Sequence, residues 1–198
     1  MFLDDPPDSA DAQAAYDSTR EADGYVANFL RVWCWRPDLF KEFVDLRLKL
    51  MGSTTLSDRE QAIVVAATVS EFGDSYCSLA WGGKLAKLAG AETAGGVIAG
   101  DVPDELSERE AALCAWCRAV VRDPMATTPE QVDALRAAGF DDREIFEATL
   151  LLSLRLAFST VNDSLGAQPD RQLADAVPLP VRDAVTFGRP ASETPSIA

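Results

Sequence analysis

Histidine is absent from this 198-residue chain. That removes the commonest general base near neutral pH and the commonest zinc ligand, so Ser-His-Asp and Cys-His catalysis are excluded within one chain type. Acid–base work must fall to carboxylates, Tyr, Lys or Cys. Basic residues are few as well: 18 Lys and Arg stand against 32 Asp and Glu, a formal charge of −14. Such a balance repels phosphate backbones and anionic lipid, which argues against nucleic acid and membrane surfaces as partners. No apolar run approaches the ~20 residues that span a bilayer. The longest candidate, "ATLLLSLRLAF", is interrupted by Ser153 and Arg155. The opening "MFLDDPPDSADAQAAYD" is acidic and carries neither the basic nor the apolar block of a signal peptide. The expected setting is therefore a reducing cytoplasm, with free thiols at Cys34, Cys77, Cys114 and Cys117.

What is present is 47% apolar and reads almost throughout as helix. The length suits one ordinary domain with a sizeable core. Residues 1–12 are rich in Asp, Pro and Ser and are expected to be disordered, as is the tail "ASETPSIA" over 191–198; residues 13–190 form the expected helical domain. "RPDLFKEFVDLRLKLMG" sets Phe40, Phe43, Val44 and Leu48 on one stripe, with Pro37 suited to the first turn and Gly52 to the end. "LSDREQAIVVAATVSEFG" opens with Ser57 and Glu60 in capping-box spacing, and its wide apolar surface implies burial on several sides. Ser107 with Glu110, and Thr128 with Gln131, repeat that spacing. "LSDRE" at 56–60 and "LSERE" at 106–110 form an internal echo, which either duplication or shared capping chemistry would produce. "DDREIFEATLLLSLRLAFSTVNDSLG" is apolar nearly all round and reads as a central helix. No strand alternation competes, so the predicted class is all-α.

"LSDREQAIVVAATVSEFGDSYCSLAWG", followed by "LRAAGFDDREIFEATLLLSLRLAFSTVNDSLG", resembles the carboxymuconolactone decarboxylase and AhpD-like alkylhydroperoxidase superfamily. The ending "AVTFGRP" is similar to that of its peroxidase-related branch. The resemblance implies a compact, all-helical, cofactor-free, metal-free homo-oligomer. Its redox members use a Cys-x-x-Cys pair at a helix start, a histidine four residues after the second Cys, and an upstream glutamate; its decarboxylase members act on a small lactone acid. Carried onto this chain, the second cysteine is Cys77, the first falls on Asp74, the histidine on Trp81, and the glutamate on Ala62. Only Cys77 of the four redox residues remains.

Independently of the family, "GDSYC" reads as Gly73 ending one helix and Asp74 capping the next, with Cys77 in its first turn. The helix start favours the thiolate while the Asp74 carboxylate opposes it. An active thiol and a packed one both fit. Cys114 and Cys117 lie too deep in their helix for a relaxed disulfide and are expected to pack as small hydrophobes. Trp81 is a candidate pocket wall. Arg155 interrupts an apolar helix, so either Glu147 or Asp163 neutralises it or it anchors an acidic substrate.

Three functions follow. The first is a divergent oxidoreductase with single-cysteine, peroxidase-type chemistry at Cys77 and an external thiol reductant. The second is a cofactor-free lyase or isomerase for a small carboxylated metabolite, with Asp74 or Glu71 as the acid–base group and Arg155 as anchor. The third is a non-catalytic helical oligomer that binds a small ligand or partner. A cavity lined by Asp74 and Arg155 together would favour the lyase.

Overall fold

A computed structural model describes residues 1–196 as eleven α-helices and one short 3-10 turn, with no strand among them. Ile197 and Ala198, the end of the tail expected to be disordered, lie outside the described residues. The first helix, α1 (Ala10–Asp23), starts on a Ser9 cap and runs through the expected boundary at residue 13. Ahead of it, the Phe2 N–H donates to the Leu165 carbonyl (2.9 Å). Among the described residues no helix is long and apolar enough to cross a membrane.

The centre is α4 (Asp58–Phe72). Every residue from Glu60 to Val69 is buried, because α5 (Ser75–Ala89), α6 (Ala91–Ala99), α7 (Glu108–Arg122) and α9 (Asp142–Ser164) surround it. Its wide apolar surface thus has neighbours on several sides. Helix α9, read from its composition as a central helix, is buried along one side only. It buries Ile145, Ala148, Leu151 and Leu152 against the core, but Phe146 is 64% exposed and Ser153, Ala157 and Thr160 face outward. Its composition is more apolar than its burial requires, since Phe146, Ser153, Ala157 and Thr160 share an exposed side among the described residues.

Local chemistry sets the helix starts. The capping boxes at Ser57, Ser107 and Thr128 all form, and a fourth, Asp141 with Glu144, starts α9. The echo between the two "LS-acid-RE" segments has a physical use. Arg59 Nε binds Glu110 Oε1 at 2.6 Å, and Arg109 Nε binds Glu60 Oε1 at 2.6 Å. Each segment's arginine holds the other's capping glutamate, so the starts of α4 and α7 are clasped reciprocally. Arg109 also reaches Glu144 at 2.8 Å, which adds the start of α9 to the clasp.

Two features position the site. Helix α3 (Pro37–Ser53) buries no residue fully; it lies over the core as a cover, half-burying Phe40, Phe43 and Val44. Leu48, expected on that inner stripe, is 54% exposed, and Arg47 takes its place. The helical step Phe40–Val44–Arg47–Met51 is the stripe that the fold uses. The paired glycines of α5 admit a close neighbour. A Cβ on Gly82 would stand 2.5 Å from Val181 of α11 (Leu179–Ala184), so close helix approach accounts for this position.

Candidate functional site

The site is built around the junction of α4 and α5. Gly73 ends α4 in the left-handed conformation (φ +87°), and Asp74 N-caps α5 by accepting from the Cys77 N–H at 2.9 Å. This puts Cys77 in the first helical turn, as the sequence suggests. The C-terminal segment closes over the junction. The Ser75 hydroxyl donates to the Arg189 carbonyl (2.7 Å), and a Cβ on Gly188 would stand 2.7 Å from the Gly73 carbonyl oxygen. Asp74 is consequently fully buried; one carboxylate oxygen caps the helix and the other, Oδ2, has no hydrogen-bond partner.

On its other side Cys77 opens onto a cavity of about 450 Å³. Phe29, Phe40, Phe43 and Phe158 form an aromatic wall, Trp81 stands across from it, and two guanidiniums, Arg47 and Arg155, reach in. Asp23, at the end of α1, is an exposed carboxylate on the rim. The wall is tightly interlocked. Phe29 meets Phe158 edge-on at 5.3 Å, and Trp33 stacks on Phe158 from behind at 5.3 Å while its indole N–H donates to Asn162 (2.9 Å). Trp33 is thus packing support for the cavity, while Trp35 is 43% exposed.

Arg155 is the hinge between thiol and cavity. Its Nη1 lies 3.5 Å from Cys77 Sγ, and its guanidinium carbon lies 5.1 Å from the Trp81 ring centre and 4.9 Å from that of Phe158. Neither of its expected carboxylate partners holds it. Glu147 pairs instead with Arg143 (2.7 Å), one turn earlier on the same helix, and Asp163 makes no ion pair with Arg155. Distance along α9 explains the correction: Glu147 lies two turns from Arg155 and finds a closer cation. Arg47 likewise has no carboxylate partner among the described residues; its nearest polar contact is the Met51 sulfur at 3.5 Å.

Burial dominates the electrostatics. The Cys77 thiol pKa is pushed up first by desolvation and then by the neighbouring Asp74 charge; Arg155 and the Ser159 hydroxyl pull it back only in part. The resting group is the neutral thiol. Burial also lowers the Arg47 pKa, and the Arg155 charge beside it adds to that. Behind Cys77, Asp163 is raised from 3.8 to about 7, first by burial and then by the Asp74 charge.

The sequence-predicted residues therefore separate. Cys77, Trp81 and Arg155 line one cavity. Asp74 lies behind the thiol, outside the lining, and Glu71 binds Arg122 at 2.6 Å away from it. Cys114 and Cys117 are fully buried in the core side of α7, their thiol pKa values raised by burial, that of Cys114 to about 11. Among the described residues no cluster of His, Cys, Asp and Glu could hold a metal. Sequence reasoning missed Arg47, although its register from Phe40 and Val44 was readable, and it missed the Phe29–Phe158 wall, which long-range packing assembles. A larger adjoining hollow of about 580 Å³ shares Phe29, Tyr76 and Ala80 with this cavity and carries Lys84 and Lys87, but it contains no thiol. Nucleophile and unpaired cations meet only in the smaller one.

No family model matches the chain, and no curated protein matches it. Solved structures do. A peroxidase-related protein from Silicibacter sp. TM1040 superposes with a TM-score of 0.76 at 19% identity, covering 87% of this chain and 93% of that one. An AhpD-core, peroxidase-related protein from Ralstonia eutropha JMP134 gives 0.74 at 20% identity, with 87% and 93% covered. The debrominase Bmp8, in a variant with one cysteine replaced by alanine and bound to 2,3,4-tribromopyrrole, gives 0.75 at 15% identity, with 93% and 98% covered. The chain has the AhpD-like fold.

Proposed function

We propose that the chain is a single-cysteine, thiol-dependent oxidoreductase. The observation that carries this reading is the position of Cys77 at the floor of the cavity, with Arg155 Nη1 3.5 Å from its sulfur and no second cysteine in the lining. A thiol with no resolving partner needs an external one. The lyase reading loses its support, because Asp74 is outside the cavity that Arg155 lines. Likeness in fold to peroxidase-related proteins and to a debrominase is compatible with one chemistry: transfer of an electrophilic atom to sulfur.

In that chemistry the thiol first loses its proton, and Asp74, whose Oδ2 is free, is the adjacent acceptor. Arg155 stabilises the thiolate that forms. The sulfur then takes OH from a hydroperoxide, or a halogen from a halogenated ring; the bond to that atom breaks and the rest of the substrate takes a proton. Two equivalents of an external thiol, R′SH, restore Cys77 and leave as R′S–SR′, with water or hydrogen halide as the second product. The chain is proposed to work as a homo-oligomer; α3 and α9, packed side by side, leave Leu39, Leu46 and Phe146 exposed.

The test uses cumene hydroperoxide and 2,4,6-tribromophenol with glutathione or dithiothreitol as reductant. Turnover of at least one substrate is expected, with loss on the order of 100-fold or more in Cys77→Ser and little change in Cys34→Ser. Equal activity in Cys77→Ser, or no oxidised or halogenated adduct on Cys77 by peptide mass spectrometry, overturns the reading.

A further inference from the structure

We propose that the Cys77 cavity selects a small, planar aromatic anion, its negative group bridging Arg47 and Arg155 and its ring against the aromatic lining of the cavity. This rests on the reading of that cavity as the substrate site and adds the substrate's chemical class.

Two guanidiniums enter one half-enclosed, aromatic-lined space, and among the described residues neither has an ion-pair partner. Arg155 is 6% exposed and its Nε has no hydrogen-bond partner at all. A buried guanidinium is ordinarily paired, because desolvation without compensation is costly. Arg118, equally buried and also with an unpartnered Nε, is at least held by backbone: its Nη2 donates to the carbonyls of Val97 and Asp101, each at 3.0 Å, at the end of α6. Arg47 and Arg155 have no such arrangement, and they repel each other across the cavity. An anion between them removes both costs at once. The one acidic side chain on the lining, Asp23, is solvated at the rim.

Shape and surface point to the ring. The cavity volume of about 450 Å³ is in the small-molecule range. Its walls offer flat faces, and Arg155 already lies against two of them at 4.9 and 5.1 Å, an arrangement that favours a planar, polarisable guest over an aliphatic one. Arg155 also fixes the register. Because its Nη1 is 3.5 Å from Cys77 Sγ, an anion that it holds lies beside the sulfur, not at the mouth.

The test is a nuclear magnetic resonance titration of full-length Cys77→Ser protein, which the thiol reading expects to be inactive, with benzoate, benzamide and cyclohexanecarboxylate. These guests are close in size and differ in charge or in planarity. Benzoate is expected to bind at least about tenfold more tightly than benzamide, the scale of a charge-assisted contact, and more tightly than cyclohexanecarboxylate. Arg47→Met should lower benzoate affinity more than benzamide affinity and so shrink the preference; Arg47→Lys should retain more of it. Equal binding of benzoate and benzamide overturns the anion, and a preference undiminished in Arg47→Met overturns the bridge. Equal binding of cyclohexanecarboxylate overturns the ring. If benzoate fails while Cys77-dependent turnover of cumene hydroperoxide stands, only the substrate class falls. If benzoate binds as expected while Cys77→Ser retains wild-type turnover, the anion site stands and the thiol reading falls.

Discussion

Asp74 does two things that pull against each other. Its carboxylate caps α5, which brings Cys77 into the first turn, and its charge raises the pKa of that same thiol. Asp74→Asn separates the roles, because asparagine caps nearly as well without the charge. The variant should alkylate faster at Cys77 with iodoacetamide at pH 8, read by peptide mass spectrometry, yet turn over more slowly if Asp74 receives the thiol proton. Slower alkylation would mean that the cap, not the charge, governs the thiol. Asp163 gives a second handle. An acid raised from 3.8 to about 7 binds its proton more tightly folded than unfolded, so the stability tied to that proton is lost as pH rises from about 4 through 7. Asp163→Asn should therefore melt above the parent at pH 8, with the difference shrinking toward pH 4. A difference independent of pH would place the effect in packing. At this scale much of the site was legible in the sequence. Cys77, Trp81 and Arg155 stand out against their neighbours by type. Arg47 did not, because an arginine among lysines and aspartates on an amphipathic helix reads as solvated until its register is followed, and the partnerless state of Arg155 depends on where Glu147 turns.

Helix starts carry most of what the sequence says about elements. The three capping boxes read in the sequence form where their spacing places them, since the required groups lie within three residues of one another, and Asp141 with Glu144 adds a fourth. The arrangement of the elements was less legible. Apolar composition alone could not rank α4 above α9 as the central helix, because burial is decided by neighbours distant in sequence. The reciprocal clasp ties the two levels together, and its two arginines are unequal. Arg59 holds Glu110 alone among side chains, whereas Arg109 holds Glu60 and Glu144, donates to the Gly139 carbonyl, and lies 3.6 Å over the Phe140 ring. Arg59→Ala is expected to cost about 1 kcal/mol and Arg109→Ala about 2–3 kcal/mol in urea unfolding, since the latter leaves two partly buried carboxylates unpaired and strips an aromatic face. Equal costs would show that the third helix start adds nothing to the clasp.

The molecule as a whole carries a charge of −14, and yet its thiol cavity carries two unpaired cations. These fields act over different distances. The net charge is spread over the surface and reaches an approaching anion through solvent, where the Debye length falls from about 30 Å at 0.01 M salt to about 8 Å at 0.15 M. Arg47 and Arg155 act at contact, within walls that exclude most of the screening ions. Added salt should therefore weaken the long-range repulsion more than the local attraction. Benzoate binding to the Cys77→Ser protein is expected to tighten between about 0.01 and 0.15 M sodium fluoride, a strongly hydrated salt, while benzamide binding stays level. This is the reverse of an exposed cationic site, where salt only competes. Weakening with salt would mean that the positive field extends past the mouth, reinforced by Lys84 and Lys87 on the adjoining hollow, and overrides the net charge before the anion arrives. In that case Lys84→Gln and Lys87→Gln together should restore tightening, because removing two rim cations returns the approach to the acidic surface while leaving the contact with Arg47 and Arg155 in place.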